Sequence, residues 1–452
     1  MKDSIKEIIN IVGENNALFS SPELLQYSVG GKRPDIVAFP ETVEEVSQIM
    51  RAASRGSLSV IPWGGGTKIG FGREPHKVDV VICTGHLNRI IEYEPSDLVG
   101  IAECGISLRN FQKALSEKNQ FLAIDPPHIE SGATLGGIIA TNDSGPRRLR
   151  YGTIRESLIG IKVVRPDGSI IKGGAKVVKN VAGYDIPKLY IGSLGTLGIV
   201  AEGTFRLYPI PEASETLLIR FPDLEALHEA VLIISNSSLV PSCLEVLNPL
   251  LVNVVSERLN LNLKRGEYAL AVRIESVERA VRDQITKVKD ICRGKNGEGV
   301  SFEGKTEETL WNEIREFPWR VCGENRVICK ASVLITGVSR VLQNLEELSK
   351  TSGLRIYASA RAGSGILIIS IEMDSMSLSQ EEILLIVETI NSIRDLVISL
   401  KGTLIVQEAP LSLKSHTDIW GELGTSINVM KKLKALFDPD SILNPGRFVG
   451  GI

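Results

Sequence analysis

The residues best suited to chemistry form a glycine loop, Pro62-Trp-Gly-Gly-Gly-Thr67. The apolar pair Val60 and Ile61 leads into it as the end of a strand, which Pro62 stops. Glycine adopts positive φ without steric cost, so Gly64, Gly65 and Gly66 can turn successive N–H groups toward one point, and Thr67 would add a hydroxyl donor. The loop therefore predicts an anion nest for a phosphate group. A glycine-rich turn without a ligand fits these residues alone equally well.

Further segments rich in glycine, serine and threonine follow between residues 121 and 211, each flanked by apolar residues. They are Asp125-Pro-Pro127, Gly132-Ala-Thr-Leu-Gly-Gly137, Ala140-Thr-Asn-Asp-Ser-Gly145, Tyr151-Gly-Thr153 and Gly192-Ser-Leu-Gly-Thr-Leu-Gly-Ile-Val200. Each alone could be a tight turn, but together they let the backbone pass close to a large flat ligand and donate hydrogen bonds to it. A buried cofactor is therefore expected. Neither the Walker loop nor the dinucleotide G-x-G-x-x-G spacing is present.

Composition narrows the class of protein. The 452 residues are enough for two or three domains at ~100–200 residues each. No apolar run reaches the ~18 residues of a membrane-spanning helix, and residues 1–10 lack a signal-peptide core. The net charge of −3 makes nucleic acid a poor candidate partner. Six cysteines without a C-x-x-C and five histidines without metal-pair spacing predict a cytosolic chain with no metal or iron–sulfur site of its own.

The elements around the glycine loop follow from periodicity. Helical apolar spacing at 2–16 and 42–55, with strands at 35–40 and 58–62, predicts a strand–helix–strand unit that delivers the loop at the carboxyl end of a strand. From residue 213 a β-α-β-β-α-β order predicts a ferredoxin-like antiparallel domain, completed by a second half from residue 338. The expected fold class is α+β.

Five of these motifs together resemble a known family. Pro62–Thr67, Gly132–Gly137, Tyr151-Gly-Thr-Ile-Arg155, Asn180-Val-Ala-Gly-Tyr-Asp185 and Gly195-Thr-Leu-Gly198 resemble the FAD-binding domain of the vanillyl-alcohol oxidase/PCMH-type flavoproteins, and within them the FAD-binding subunits of bacterial glycolate oxidase. The stretch from Met430 to Arg447 is similar to the closing motif of the same group. The resemblance is strong over 30–212, good over 400–452 and loose over 213–400.

The resemblance implies a division of the chain and a set of cofactor contacts. A two-subdomain PCMH-type FAD-binding domain would span 1–212, a cap domain 213–400, and a C-terminal helical segment, 401–452, would pack back on the first domain. The FAD should be noncovalent, since the loop holds no histidine to attach a flavin. The residues implied to bind FAD are Pro62, Trp63, Gly64, Gly65, Gly66, Thr67, Ile69, Gly70, Pro127, Gly132, Thr134, Gly137, Thr141, Ser144, Gly145, Gly198, Ile199, Val200 and Asn444. Trp63 stands where catalytic subunits often carry arginine.

Catalytic relatives carry two histidine motifs that this chain lacks. Relatives that oxidise D-2-hydroxy acids have His-Ala-Gly-Asp-Gly-Asn-x-His and Glu-His-Gly, whose histidines bind a divalent metal or act as base. The corresponding stretches here are Arg361-Ala-Gly-Ser-Gly-Ile-Leu-Ile368 and Gln407-Glu-Ala-Pro410. Neither arginine nor alanine replaces an imidazole as metal ligand or base near neutral pH. No catalytic residue is therefore assigned.

Three classes of function stay open. In the first, which the degenerate motifs favour, the chain is an FAD subunit of a multisubunit 2-hydroxy-acid dehydrogenase. A sister FAD subunit would then oxidise a small carboxylate, an iron–sulfur subunit would carry the electrons onward, and any contact with the inner membrane face would come through the complex. In the second, the chain oxidises another small carboxylate by itself, with Arg361, Arg320 or Lys330 as clamp. In the third it is a flavin-domain shell without FAD.

Overall fold

The computed structural model describes residues 2–175, 184–261, 266–323, 326–373 and 378–452. The chain forms two compact units. Unit 1 comprises Met1–Ser144, Gly152–Ile210 and Glu422–Ile452, and unit 2 comprises Gly145–Tyr151 and Pro211–Gly421. Part of the predicted motif Asn180–Asp185, residues 180–183, lies outside the described residues.

The elements up to residue 210 are short, and loops carry much of this region. The helices are α1 (Asp3–Val12), α2 (Val43–Arg55), α3 (Leu108–Ser116), α4 (Leu135–Thr141), α5 (Arg148–Tyr151), α6 (Ile154–Ser157) and α7 (Pro187–Tyr190). The strands are β1 (Ala17–Phe19), β2 (Ile36–Ala38), β3 (Val60–Trp63), β4 (Val80–Cys83), β5 (Ile90–Glu94), β6 (Val99–Glu103), β7 (Gln120–Phe121), β8 (Leu158–Val164), β9 (Ile170–Gly174), β10 (Ile199–Arg206) and β11 (Tyr208–Pro209).

The elements after residue 210 are longer. The helices are α8 (Leu224–Ser235), α9 (Pro249–Arg258), α10 (Glu278–Arg293), α11 (Gly304–Val321), α12 (Val338–Ser352), α13 (Gln380–Ser399), α14 (Leu411–Lys414) and α15 (Ser426–Phe437). The strands are β12 (Ala213–Phe221), β13 (Cys243–Leu247), β14 (Tyr268–Ser276), β15 (Glu298–Phe302), β16 (Arg326–Ser332), β17 (Ile356–Arg361), β18 (Ile366–Glu372) and β19 (Thr403–Glu408).

The first sheet of unit 1 positions the glycine loop. Its strand order is β1-β2-β4-β3, with β2 and β3 both parallel to β4. Helix α2 connects β2 to β3; its N-cap Thr42 accepts a hydrogen bond from the backbone N–H of Glu45 (3.1 Å), and its apolar face is buried together with that of α1. The loop leaves the carboxyl end of β3, which confirms the predicted strand–helix–strand unit.

A second sheet of unit 1, in the order β5-β6-β10-β8-β9, is antiparallel throughout. Helices α3 and α4 form a hydrophobic core with this sheet. Phe111, Ile139 and Phe205 are fully buried in it. Strands β7 and β11 form a separate two-stranded sheet of unit 1. The two larger sheets of the unit correspond to the two predicted subdomains.

Unit 2 is built from two ferredoxin-like halves that form one antiparallel sheet. The sheet order is β15-β12-β14-β13-β17-β18-β16-β19. The first half follows the chain as β12-α8-β13-α9-β14-α10-β15 and the second as β16-α12-β17-β18-α13-β19. The halves join where β13 pairs with β17. The predicted ferredoxin-like cap is confirmed, with α9 as an insertion in its first half.

The division of the chain differs from the predicted one at two places. Residues 401–421 were assigned to the C-terminal segment, but they lie in unit 2, because β19 pairs antiparallel with β16. The return to unit 1 begins at Glu422. Residues 145–151 were assigned to the FAD-binding domain and also lie in unit 2, where Arg147 Nη2 donates to Glu275 Oε1 at 2.7 Å. The β16–β19 pairing joins residues about 75 positions apart, and Arg147 and Glu275 are 128 positions apart, so local patterns do not reveal either contact.

Candidate functional site

The glycine loop lines two adjoining clefts of unit 1. The first has about 670 Å³ of empty space and includes all six residues of the loop Pro62–Thr67. The second has about 440 Å³ and is lined on one side by Gly198, Ile199 and Val200. Both clefts share Pro62, Trp63, Gly64 and Gly137. The loop therefore stands where two halves of an elongated ligand would meet.

The loop needs glycine for a different reason than the predicted one. Gly66 has positive φ (71°), but Gly64 and Gly65 do not, so the expectation of positive φ at all three was wrong. Space is what excludes side chains here. A Cβ on Gly64 would lie 2.2 Å from Thr134 Oγ1, and a Cβ on Gly65 would lie 2.1 Å from the carbonyl oxygen of Gly132. The backbones of the two loops thus approach closely.

The backbone donors of the loop are open. Among the hydrogen bonds of the described residues, none is donated by the N–H groups of Gly65, Gly66 or Thr67. These residues line the first cleft and are partly or fully exposed. Three consecutive N–H groups without an intramolecular acceptor match the requirement of an anion nest.

The segment beneath the loop is held by its own hydrogen bonds. Thr134 caps α4, with its Oγ1 accepting from the N–H of Gly137 (3.2 Å). The N–H of Gly136 donates to the carbonyl of Cys104 (2.7 Å), and Thr141 Oγ1 donates to the carbonyl of Gly137 (2.8 Å). This segment is therefore a rigid floor against which the glycine loop packs.

Most of the predicted site residues line the two clefts. The predicted residues in the first cleft are Pro62, Trp63, Gly64, Gly65, Gly66, Thr67, Ile69, Pro127, Thr134, Gly137, Thr141 and Asn444. The second adds Gly198, Ile199 and Val200. Neither lining includes Gly70, Gly132, Ser144 or Gly145. Gly132 instead places its carbonyl under Gly65, and Gly145 belongs to unit 2.

Sequence reasoning missed the charged residues of the first cleft, which are Lys68, Asp143 and Arg447. Lys68 Nζ lies 3.0 Å from Asp143 Oδ2, and both side chains are mostly buried. Lys68 directly follows the loop motif, so its position and positive charge could have identified it as a cleft residue from the sequence. Asp143 and Arg447 are distant in sequence from the loop, so only the fold brings them to it.

The C-terminal segment closes over the glycine loop. The N–H of Val60 donates to the carbonyl of Ile442 (2.8 Å), and the N–H of Asn444 donates to the carbonyl of Val60 (3.0 Å). Through these two bonds the C-terminal segment pairs alongside β3. Asn444 has positive φ (47°), and its side-chain amide donates to the carbonyl of Leu194 (2.6 Å). The predicted C-terminal closing motif is thus part of the first cleft.

A buried ion pair anchors this segment. Lys434 Nζ donates to Asp438 Oδ2 (2.5 Å) and to the carbonyls of Thr196 and Leu443 (2.9 Å each). Burial lowers the pKa of Lys434, while Asp438 opposes that shift. The Asp438 carboxylate also accepts from the N–H groups of Ile442 and Leu443. Every polar side-chain atom of the pair therefore makes a hydrogen bond within unit 1.

In unit 2, the ionisable residues at the two degenerate motifs are engaged in ion pairs. Glu408 accepts from Arg326 Nη2 at its Oε1 (2.6 Å) and from Trp319 Nε1 at its Oε2 (2.9 Å). Arg361 Nε lies 3.6 Å from Oε1 of Glu245, whose other oxygen accepts from Ser359 Oγ (2.5 Å). Both Glu245 and Arg361 are buried. Glu408 therefore has a hydrogen-bond donor on each of its two carboxylate oxygens.

Two kinds of feature are absent from the described part of the chain. It contains no group of three or more histidine, cysteine, aspartate or glutamate side chains placed to hold a metal ion. Within the same residues, no helix combines the length and apolar character needed to cross a bilayer.

The residues of unit 1 fit a flavin dinucleotide. The open N–H groups of the loop suit the pyrophosphate, and the side-chain-free surface of Gly64 and Gly65 allows close backbone approach. The second cleft, with Ile199 and Val200 in its wall, offers an apolar surface for a ring system. The donor set and the two-part shape are therefore compatible with FAD.

Known proteins resemble the chain along its whole length. A family model for the FAD binding domain matches residues 34–174, and one for the C-terminal domain of FAD linked oxidases matches residues 210–448. The chain is 29% identical to glycolate oxidase subunit GlcD of Bacillus subtilis, covering 99% of this chain and 96% of that protein. It is 27% identical to a D-lactate dehydrogenase of Archaeoglobus fulgidus, covering 92% and 91% respectively.

Solved structures support the same fold. An alkyldihydroxyacetonephosphate synthase aligns with a TM-score of 0.75 at 20% identity, covering 99% of this chain and 86% of that one. The 4-ethylphenol oxidase of Gulosibacter chungangensis aligns with a TM-score of 0.78 at 15% identity, covering 98% and 96%. Together, the two family models show that the chain belongs to the FAD-linked oxidases, with FAD as its cofactor.

Proposed function

We propose that the chain is an FAD-binding subunit of a multisubunit 2-hydroxy-acid dehydrogenase of the glycolate or D-lactate type. It holds FAD for electron transfer, while a sister FAD subunit oxidises the substrate and an iron–sulfur subunit receives the electrons. The proposal rests mainly on the two degenerate motifs, in which Glu408 and Arg361 form ion pairs with other residues of the chain.

The proposal rests on what oxidation of a 2-hydroxy acid requires. Bound FAD accepts a hydride equivalent, and a protein base must take the hydroxyl proton. Glu408 is the ionisable residue nearest in sequence to the missing histidine of the Glu-His-Gly motif, but Arg326 and Trp319 occupy its oxygens. A catalytic base must come within hydrogen-bond reach of the hydroxyl whose proton it takes, and Glu408 would first have to leave these two donors. A positioned base contributes ~10²–10⁴-fold, so its absence reduces turnover to background.

A relative that is itself a subunit supports a complex. The Bacillus subtilis protein that matches along nearly the whole chain is a subunit of glycolate oxidase. We propose that this chain likewise assembles with other subunits and reaches any membrane surface through them. Because residues 60–72 contain no histidine, we also propose that FAD is held noncovalently.

A second candidate is a self-sufficient FAD-dependent oxidoreductase. It is favoured by the likeness to D-lactate dehydrogenases, such as the mitochondrial cytochrome-dependent protein of Arabidopsis thaliana, at 29% identity over 92% of this chain and 73% of that one. Of its proposed carboxylate clamps, Arg320 pairs with Glu313 and Arg361 with Glu245. Both would have to leave these partners to bind a substrate. The third possibility, a shell without FAD, is not retained, because the family and the open nest both indicate the cofactor.

Purification from the native cell tests the proposal. A tagged copy of the full chain should bring down a second flavoprotein and an iron–sulfur protein in fixed stoichiometry, together with 2-hydroxy-acid dehydrogenase activity. A copy with the same tag and Gly65→Ala should assemble but carry less FAD. A chain that is isolated without partners and is fully active would establish the self-sufficient alternative.

A further inference from the structure

Arg447 is a buried cation whose charge no carboxylate balances. The residue is 5% exposed and lines the first cleft. Its guanidinium donates to Asn444 Oδ1 (2.9 Å) and to the carbonyls of Ile69 and Phe71, all of which are neutral acceptors. Among the described residues no acidic side chain forms an ion pair with it, and its Nε has no hydrogen-bond partner.

The other charges of the same cleft cancel. Lys68 and Asp143 pair at 3.0 Å, so their contributions to the potential in the cleft largely offset each other. Arg447 therefore leaves the lining with one net positive charge. Burial lowers the pKa of Arg447 to about 10, as expected for a cation taken from water without a counter-charge. It still carries its charge at neutral pH.

A buried charge without a counter-charge lowers the stability of the folded protein. The cost is offset when an anion binds nearby, and the open N–H groups of Gly65, Gly66 and Thr67 line the same cleft. Arg447 also holds the carbonyls of Ile69 and Phe71, so it is fastened to the stretch that directly follows those donors. Its position and its missing partner both point to an anion in this cleft.

We propose that Arg447 is the counter-charge of the cofactor pyrophosphate, so that this residue binds FAD through its anionic centre and couples the C-terminal segment to cofactor binding. The inference concerns FAD binding alone and does not depend on whether the chain turns over substrate. It assigns to Arg447 a charge-based role that differs from the backbone donors of the nest.

Truncated ligands separate charge from shape. We would prepare the flavin-free full chain and measure dissociation constants for FAD, ADP and adenosine, the last two by competition with FAD. Arg447→Gln removes the charge and keeps an amide donor for the neighbouring carbonyls. It should weaken FAD and ADP by about tenfold or more, as expected for one lost charge at close range in a poorly solvated site, and change adenosine by less than about threefold.

Two matched variants define the effect. Arg447→Lys keeps the charge and should retain most of the ADP affinity. Lys6→Gln removes one positive charge from the exposed face of α1, away from the cleft, and should change none of the three constants. Equal losses for ADP and adenosine in Arg447→Gln would mean that the residue only supports the fold, and unchanged ADP affinity would mean that its charge plays no part. Either result would overturn the inference.

A measurement on the unaltered chain covers the case in which Arg447→Gln does not fold. Inorganic pyrophosphate alone should raise the unfolding temperature of the flavin-free protein, and it should do the same for Arg447→Lys. If pyrophosphate leaves the unfolding temperature of the flavin-free wild type unchanged, the cleft is not an anion site and the proposal is wrong.

Discussion

At the scale of single residues, the contact between Gly65 and Gly132 decides whether the cofactor loop can form. The carbonyl oxygen of Gly132 lies where a side chain on Gly65 would begin, at 2.1 Å from an ideal Cβ. No rotamer relieves this clash, because both partners are backbone. The loop must move away from its floor if residue 65 carries any side chain.

Gly65→Ala is therefore expected to weaken FAD binding by about tenfold or more, since displacing the nest loses hydrogen bonds of about 1.5–3 kcal/mol each to a charged group. The matched control is Gly294→Ala at the end of α10, because a Cβ there meets nothing closer than 3.4 Å and Gly294 does not line the clefts. Fluorescence titration of the flavin-free proteins measures both affinities. Equal affinity of Gly65→Ala and wild type would show that the loop is only a turn.

Residue types alone predicted the glycine loop, but not the reason why each of its positions requires glycine. Glycine in three successive positions indicates either positive φ or close approach, and the sequence cannot distinguish the two; here Gly66 uses the first and Gly65 the second. Arg447 ends the stretch that is similar to the closing motif, but its role in the cleft was not predicted. Its importance comes from burial beside residues 69–71, which are more than 370 positions away in sequence.

At the scale of elements, the closing segment holds the loop from the C-terminal side. Lys434 on α15 is joined to Asp438 and to two backbone carbonyls, one of them on Thr196. Asp438 in turn fixes the backbone that pairs with Val60. The strand β3 and the segment after α15 are thus stabilised together.

Lys434→Met should lower the free energy of unfolding by about 3–5 kcal/mol, because it leaves the carboxylate of Asp438 buried without its cation. Lys432→Met on the exposed side of the same helix removes an equal charge and should change stability by less than about 0.5 kcal/mol. Urea unfolding of both variants gives the comparison. Similar stabilities of the two would contradict the anchoring role of the pair.

Asp79 makes the first sheet sensitive to acid. Burial alone would raise the pKa of its carboxyl, but hydrogen bonds from Lys2, Lys77 and Ser59 hold that pKa at about 2, below the ordinary 3.8. A carboxyl whose pKa is lower in the folded than in the unfolded protein stabilises the folded state at pH values above the unfolded-state pKa. This stabilisation is lost as the pH falls from 3.8 toward 2. Asp79→Asn should therefore cost about 2 kcal/mol at pH 7 and progressively less below pH 4.

The exposed carboxylate Asp35, 4.0 Å from Lys2, provides the control for this pH dependence. Asp35→Asn should change the free energy of unfolding by less than about 0.5 kcal/mol at either pH. A loss in Asp79→Asn that stays constant from pH 7 to pH 3 would show that ionisation of Asp79 does not stabilise the sheet.

Periodicity predicted elements well where neighbours in sequence are neighbours in space. The strand–helix–strand unit around α2 follows from local apolar spacing and a cap at Thr42. The assignment of 401–421 to the C-terminal segment failed because β19 finds its place by pairing with β16, some 75 residues earlier. Pairing partners of that separation leave no local trace.

At the scale of the whole molecule, the chain combines an FAD-binding unit with a unit whose ionisable residues at the relevant motifs are paired internally. Unit 1 has the open donors and clefts that a flavin dinucleotide requires. Unit 2 has the two-part ferredoxin-like sheet, in which Glu408 and Arg361 are tied to Arg326 and Glu245. We therefore expect the chain to bind FAD by itself, and 2-hydroxy acids to reduce this FAD only in the presence of a partner subunit.

Anaerobic mixing of the purified, FAD-loaded chain with glycolate or D-lactate tests this claim most directly. Flavin absorbance is followed in time, and dithionite added to a parallel sample verifies that the bound flavin can be reduced. We expect no appreciable bleaching by either acid in the absence of partner subunits, because the positions of the missing base and metal ligands hold Arg361, Ile366 to Ile368 and Ala409. Rapid bleaching of the flavin by the chain alone would contradict the accessory role and establish a self-sufficient enzyme.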